Sequence, residues 1–277
     1  MASRPLPYVT ACFLLLLSAS PVFATWSVIA VDQKTREVAI ASATCVPQAA
    51  FAGFPAKGLM DVQAIVVPGK GVAAAQAGVD RARKNQQLIF DEIAKGTDPA
   101  QILEMLKPDP GIDQRQFAIV DLQGRMVGFS GQKNMANSLS RQLQVPDTGI
   151  YFSIQGNILA NDEVVTAAMA AFVEANGSLT DRVMAAMEAA DARGGDKRCT
   201  CATPPLPAAT AACESKTSHV AYILRADPSD TSGASFNDGR YMMYVAVAND
   251  DILPGENANP VKTLRLRYEA WKKAKPR

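Results

Sequence analysis

Thr25 stands where a small-residue processing site runs into a β-prone stretch, Pro21-Val22-Phe23-Ala24-Thr25-Trp26-Ser27-Val28. If the chain is cut after Ala24, its new first residue carries a hydroxyl and a free α-amine together, a nucleophile and the base that activates it. A terminal α-amine has a pKa of ~7.7 to 8, so a useful fraction is unprotonated at neutral pH. An internal Thr has no such group. Without the cut, Thr25 is simply a β-branched residue opening a strand.

Several other residues could serve chemistry at such a centre. Gln155-Gly156-Asn157 offers a backbone amide and an amide side chain, donors suited to a developing oxyanion, where losing one costs ~3 kcal/mol. The same three residues also read as a strand-ending turn with a capping Asn. Asp196 and Arg198 could orient the α-amine or bind a substrate carboxylate, which matches the guanidinium fork, or form an ion pair within a loop. Ser42 could bond Thr25 across a hairpin or fill a polar slot, and Gln76 is similar. Asp32 reads as an Asx turn, and Arg115 as a buried structural cation. His219 is the only histidine, which excludes Ser-His-Asp and Cys-His sites unless His219 itself takes that role. Its place before a strand predicts a solvated ring. Asn249-Asp250-Asp251 could hold a cation, although three adjacent polar residues at a strand end usually make a turn. Gly69-Lys70-Gly71 is too short for a phosphate loop, so no cofactor and no metal are expected. Asn176-Gly177-Ser178 is a formal glycosylation sequon.

Residues 1–24 fit a secretory leader: Arg4 at the positive end, apolar residues over 8–17 and Ala24 before the cut. The apolar run is too short for a membrane span and no later one approaches ~18 residues, so the expectation is an exported, periplasmic or secreted protein. Cys12 follows Val9-Thr10-Ala11, a faint lipoprotein pattern with almost no apolar core before it. The chain has 277 residues, with 28 Lys and Arg against 27 Asp and Glu. The leader holds one of the Arg and no acid, leaving residues 25–277 neutral. Neutrality argues against nucleic-acid partners, which need a basic surplus, and no linker or repeat divides this region, which reads as a single domain.

Cys45, Cys199, Cys201 and Cys213 remain after the leader. An even count in an exported chain reads first as two disulfides. Cys199 and Cys201 are too close to bond each other comfortably, so each reaches either Cys45 or Cys213. The other reading is zinc held by Cys199, Cys201, Cys213 and His219.

The elements that must position these residues follow from periodicity and turn signals. Residues 26–31 and 38–44 form a hairpin across a polar turn, and the small Ala39, Ala41 and Ala43 predict something packed closely over its second strand. Residues 46–61 read as loop. A second hairpin spans 62–67 and 71–77. Helices are expected over 80–95 and from Asp98-Pro99 onward, a third hairpin over 115–121 and 125–130, and a strand over 151–155. Helices at 162–175 and 179–192 precede a cysteine-bearing loop, strands at 219–225 and 241–247, and a last helix at 261–273. This order suits an α+β fold of antiparallel sheets covered by helices, not a βαβ alternation.

Thr25-Trp-Ser-Val-Ile-Ala-Val-Asp32, Glu37-Val-Ala-Ile-Ala-Ser42 and Ala75-Gln-Ala77 resemble the start of a family of uncharacterised proteins, DUF1028, usually grouped with the N-terminal-nucleophile (Ntn) hydrolases. Arg115-Gln116, Ile119-Val120-Asp121, Gly124 and Gly131 extend the likeness. So do Ile154-Gln-Gly-Asn-Ile-Leu159, Gly194-Gly195-Asp196 with Arg198, and Pro260-Val261. The resemblance implies a four-layer αββα sandwich with Thr25 at one end of the central sheets, and hydrolysis of an amide-type bond in a small-molecule or peptide-like substrate. Similar exported proteins carry a Ser-Cys near position 45 and an Arg-Cys near 199, which implies Cys45 with Cys199 and Cys201 with Cys213. Many relatives have a basic residue after the Ser of the second strand, whereas Ala43-Thr44 follow Ser42 here, so no Lys stands beside the nucleophile. Residues 200–218 look like an insertion. The competing reading is a non-catalytic ligand-binding or assembly module on the same sandwich. Oligomeric state is open, though similar sandwiches often pair.

Overall fold

The computed structural model describes residues 22–23, 25–54, 58–207, 211–233 and 235–274. The leader and Cys12 lie outside the described residues, apart from the two residues of the first strand. In chain order, β1 (Val22–Phe23) is followed by the hairpin β2 (Thr25–Asp32) and β3 (Val38–Thr44), then a short helix, α1 (Leu59–Gln63). Next come β4 (Ala64–Val67), β5 (Gly71–Gly78), α2 (Lys84–Lys95), α3 (Pro99–Leu106), β6 (Arg115–Asp121), β7 (Met126–Ser130), β8 (Leu139–Gln144) and β9 (Ile150–Asn157). The chain ends with α4 (Glu163–Glu174), α5 (Leu179–Ala192), β10 (Val220–Ala226), β11 (Met243–Ala248) and α6 (Pro260–Ala274).

Two antiparallel sheets result. One has the order β11-β10-β3-β2-β9-β8; the other runs β1-β5-β6-β7, with β4 pairing the same strand, β5, that β1 pairs. Strand alternation divides the side chains between three apolar layers. Ile29, Val31, Val38, Ile40, Val72, Val120 and Leu224 pack between the sheets. Trp26, Val28 and Ala30 turn the other way, toward α4, α5 and α6. Ile65, Val67, Ala73 and Phe117 face Ile89 and Ile93 of α2 and Ile102 and Leu106 of α3. The layers are therefore helices, sheet, sheet, helices, an αββα sandwich. Ala39, Ala41 and Ala43 share a cluster with Ala186, Met187 and Ala190 of α5, so the small side chains of β3 do admit a close helix.

Helix ends follow local chemistry. Asp98 accepts from the Ala100 amide ahead of Pro99, and Ser178 with Asp181 forms a reciprocal capping box on α5. Three expectations change. The segment read as loop over 46–61 holds a 3-10 turn, Gln48–Phe51, and the start of α1. The helix expected from residue 80 starts at Lys84, because the Asp80 carboxylate accepts from the Ala82 and Asn85 amides and Arg83 adopts a left-handed φ of 58°. Strand β8 was not anticipated: Leu-Ser-Arg-Gln-Leu-Gln lies on a sheet edge, where only partial burial leaves a weak apolar signal.

Candidate functional site

Register carries Thr25 to one end of the inter-sheet layer. In β2 the residues facing the second sheet are Thr25, Ser27, Ile29 and Val31, polar at the first two places and apolar beyond. Across the sheet, Thr25 lies opposite Asn157 of β9 on one side and Thr44 of β3 on the other, and Thr44 lies opposite Val220. One row deeper, Gln155, Ser27, Ser42 and Tyr222 are aligned in the same way. Every one of these polar residues is buried.

Such a buried polar block requires internal partners, since each unsatisfied group costs ~1 to 3 kcal/mol. Gln76 on the facing sheet supplies most of them. Its Oε1 accepts from Ser27 Oγ at 2.7 Å and from Gln63 Nε2 at 2.6 Å. Its Nε2 donates to the Thr25 carbonyl at 3.0 Å and to Gln116 Oε1 at 2.7 Å. Gln116 in turn donates to the Gly156 carbonyl at 2.9 Å, and the Tyr222 hydroxyl donates to Gln63 Oε1 at 3.1 Å. Burial raises the Tyr222 phenol well above its ordinary pKa, so it remains a neutral donor. Four strands of the two sheets, β5, β6, β9 and β10, are thus tied to the backbone of Thr25 in β2.

The Thr25 hydroxyl donates to Thr44 Oγ1 at 3.3 Å. Ser42 does not meet Thr25, as the hairpin reading had it; its hydroxyl donates to the Trp26 carbonyl at 2.6 Å, and Thr44 holds the place opposite the candidate nucleophile. That register was available in the sequence, because two strands of one tight hairpin pair end to end. Gln63 and Gln116 were also missed as site residues: Gln63 gives only a lone polar side chain in an apolar stretch, now the end of α1, and Gln116 stood in the Arg115-Gln116 match with no role attached. Gln155 points inward and donates to the Ala74 carbonyl at 3.3 Å, while its buried Oε1 makes no hydrogen bond among the described residues.

Backbone strain brackets this end of the sandwich. Ala77, next to Gln76, has a φ of 69°, and Ile158, next to Asn157, has 54°. The left-handed region costs a residue with a Cβ about 1 to 2 kcal/mol, and a β-branched residue there is an outlier. Beside Thr25 the inter-sheet layer opens into a narrow pocket whose walls include Phe51, Leu59, Val62, Ala75, Ala77 and Val79, with Gln63 and Gln76. Among the described residues no charged side chain lines it.

Asp196 and Arg198 form the ion pair that their spacing allowed. Arg198 Nη2 lies 2.7 Å from the fully buried Asp196 carboxylate, which also accepts from the Cys45 amide at 2.8 Å. The pair therefore locks the loop onto the end of β3. Gly195, at a φ of 45°, lies against the Trp26 ring, where a Cβ would come within 2.6 Å, so the Gly194-Gly195-Asp196 stretch is a packing device for β2 and β3. Two disulfides complete it, Cys45 with Cys199 and Cys201 with Cys213. Their sulfurs are spent in those bonds, which displaces the zinc reading.

His219 is buried, not solvated, with its ring within 4.8 Å of the Cys45 and Cys199 sulfurs. Burial, and next the Lys216 cation, push its pKa down to about 4. Asp32 closes its turn by accepting from the Lys34 amide. Arg115 binds Asp109 at 2.8 Å and the Gly78 carbonyl, part-buried. Asn249–Asp251 is a 3-10 turn in which Asn249 binds Lys216 and the Pro205 carbonyl.

An αββα sandwich with a buried glutamine lattice holding a strand-end Thr defines the class of protein. The chain belongs to the family described as a family of unknown function, DUF1028, whose model matches residues 25–232 and so begins on Thr25 itself. A crystal structure of a Silicibacter pomeroyi protein of the same family superposes with a TM-score of 0.61 at 19% identity, covering 89% of this chain and 88% of that one. At that identity the likeness concerns the fold. No curated protein matches the chain. No helix among the described residues is long and apolar enough to cross a membrane.

Proposed function

We propose that the protein is an exported hydrolase of amide-type bonds in which cleavage after Ala24 makes Thr25 the first residue and the nucleophile. The α-amine removes the proton from Oγ1, and Oγ1 bonds to the carbonyl carbon of the substrate. The leaving amine departs with that proton, and water then hydrolyses the ester, releasing the acid and restoring the hydroxyl. Gly156 and Asn157, on the neighbouring strand, are the donors nearest in register to the oxyanion. Two disulfides suit export to an oxidising compartment.

The observation that carries this reading is the convergence of buried partners on Thr25: Gln76 on its carbonyl, Thr44 on its hydroxyl and Asn157 opposite it. An ordinary strand-opening Thr needs no such lattice. The test is to sequence the N-terminus of the exported protein, treat it with a β-lactone probe and map the adduct by mass spectrometry. A start at Thr25 and an adduct on residue 25 that disappears in Thr25→Ala are expected. A start at any other residue, or an adduct that survives the substitution, defeats the proposal and leaves the sandwich as a binding or assembly module.

A further inference from the structure

The strand immediately before Thr25 occupies a place that export would vacate. Val22 and Phe23 pair antiparallel with Gly78 and Ala77 of β5. β4 covers only Gly71 to Ala74 of that same edge, while β6 holds the opposite edge as far as Ala77, so among the described residues the β4 edge of β5 at Ala77 and Gly78 has no strand partner except Val22 and Phe23. Removing residues 1–24 therefore uncovers a short stretch of sheet edge, with unpaired backbone donors and acceptors, next to the residue whose amine has just been freed. The edge lies close to that residue: Gln76 reaches the Thr25 carbonyl at 3.0 Å, and Ala75 and Ala77 share a pocket with Thr25.

We infer that the substrate is an extended peptide that adds as a strand to the Ala77–Gly78 edge of β5, in the place and direction that Val22–Phe23 hold in the uncut chain. This rests on the proposed cleavage after Ala24, which opens the edge, and on the proposed Thr25 chemistry for what happens next. An incoming chain in that direction delivers the carbonyl of its following residue to Thr25, so the paired residues belong to the acyl side of the bond cut. Backbone pairing supplies affinity with little side-chain selectivity. The left-handed Ala77 backbone falls where the β5–β6 ladder ends, at the pair with Arg115, and within the stretch that the added strand would cover.

The experiment uses the exported chain with Thr25→Ala and the peptide of residues 20–24, unmodified or methylated on the backbone nitrogen of the residue equivalent to Val22 or to Phe23. In an antiparallel pair, neighbouring residues alternate between hydrogen-bonded and non-hydrogen-bonded positions. The expected result is saturable binding by calorimetry that falls roughly tenfold on methylation at one of the two positions and little at the other. The same peptide should protect unmodified Thr25 from the β-lactone. Absence of binding to both proteins, or equal effects of the two methylations, overturns the inference. Peptide binding without Thr25 labelling would count against the hydrolase proposal alone, and labelling without peptide binding against this inference alone.

Discussion

All four hydrogen-bonding directions of the Gln76 amide are in use: two acceptances, from Ser27 and Gln63, and two donations, to Thr25 and Gln116. Its substitution therefore leaves several buried groups without partners. Gln76→Leu should destabilise the protein by about 2 to 4 kcal/mol, on the scale of one or two unsatisfied groups, as measured by urea unfolding. Gln76→Glu should cost more, because an acceptor would then face the Thr25 carbonyl and Gln116 Oε1. In both variants labelling of Thr25 should slow by more than the loss of folded protein accounts for, since residue 25 loses the donor on its carbonyl. Equal stability of wild type and Gln76→Leu would mean that the lattice is not what holds this end of β2. At this scale Thr25 and Gln76 were legible, because the resemblance and the residue types marked them. Thr44 was legible in the hairpin register though not taken up; the roles of Gln63 and Gln116 were not, since they arise only from the facing of two sheets far apart in sequence.

Elements are positioned here by cross-links as much as by burial. Cys45 ends the strand that carries Thr44, and its bond to Cys199 spans a sequence separation of 154, whereas Cys201 and Cys213 are separated by 12. If disulfides act chiefly by restricting the unfolded chain, the longer loop stabilises more, about 5 kcal/mol against about 3. Replacing Cys45 and Cys199 by Ala should thus lower the unfolding midpoint more than replacing Cys201 and Cys213. It should also loosen Asp196, which holds the Cys45 amide and Arg198. A larger loss from the shorter loop would show that native packing of the 199–218 segment outweighs chain entropy. Most elements were readable: the hairpins carry strong alternation and the helices carry caps at Asp98 and Ser178. β8 was not, because an edge strand that is only half covered has no apolar face to advertise. The disulfide partners followed from the resemblance and not from spacing, which left both pairings open.

The balance of protons over the whole molecule is set by a few buried groups, and His219 is the most consequential near neutrality. It lies behind the Cys45–Cys199 bond with a pKa lowered to about 4 by burial and the Lys216 charge, against about 6.5 in an unfolded chain. Between those values the unfolded state binds a proton at this residue that the native state does not, so the His219 contribution to stability falls as pH drops from about 6.5 to 4. The full loss is on the order of 3 kcal/mol at 1.36 kcal/mol per unit. Asp181 acts in a separate window. Burial alone would raise its carboxyl, but hydrogen bonds from Lys272, Ser178 and Tyr268 outweigh that and hold it at about 2, so its contribution is lost only as pH falls from about 4 to 2. Lys216, lowered to about 8 by burial, makes stability rise between about pH 8 and 10.5. Asp191 and Glu37, raised by burial, pull the other way toward acid, so the His219 contribution is read as the difference between wild type and His219→Phe: urea unfolding at half-unit pH steps should show a difference in slope near one proton between pH 6 and 4.5. The substitution should leave the loss below pH 4 in place. An unchanged slope in the variant would move the burden to other groups and mean that the ring is solvated in solution. The same linkage bears on the proposed function: the proposed Thr25 chemistry needs the amine unprotonated, near pH 8, well above the window in which His219 weakens the fold, so hydrolase activity lost toward pH 6.5 should recover fully on return to neutral pH.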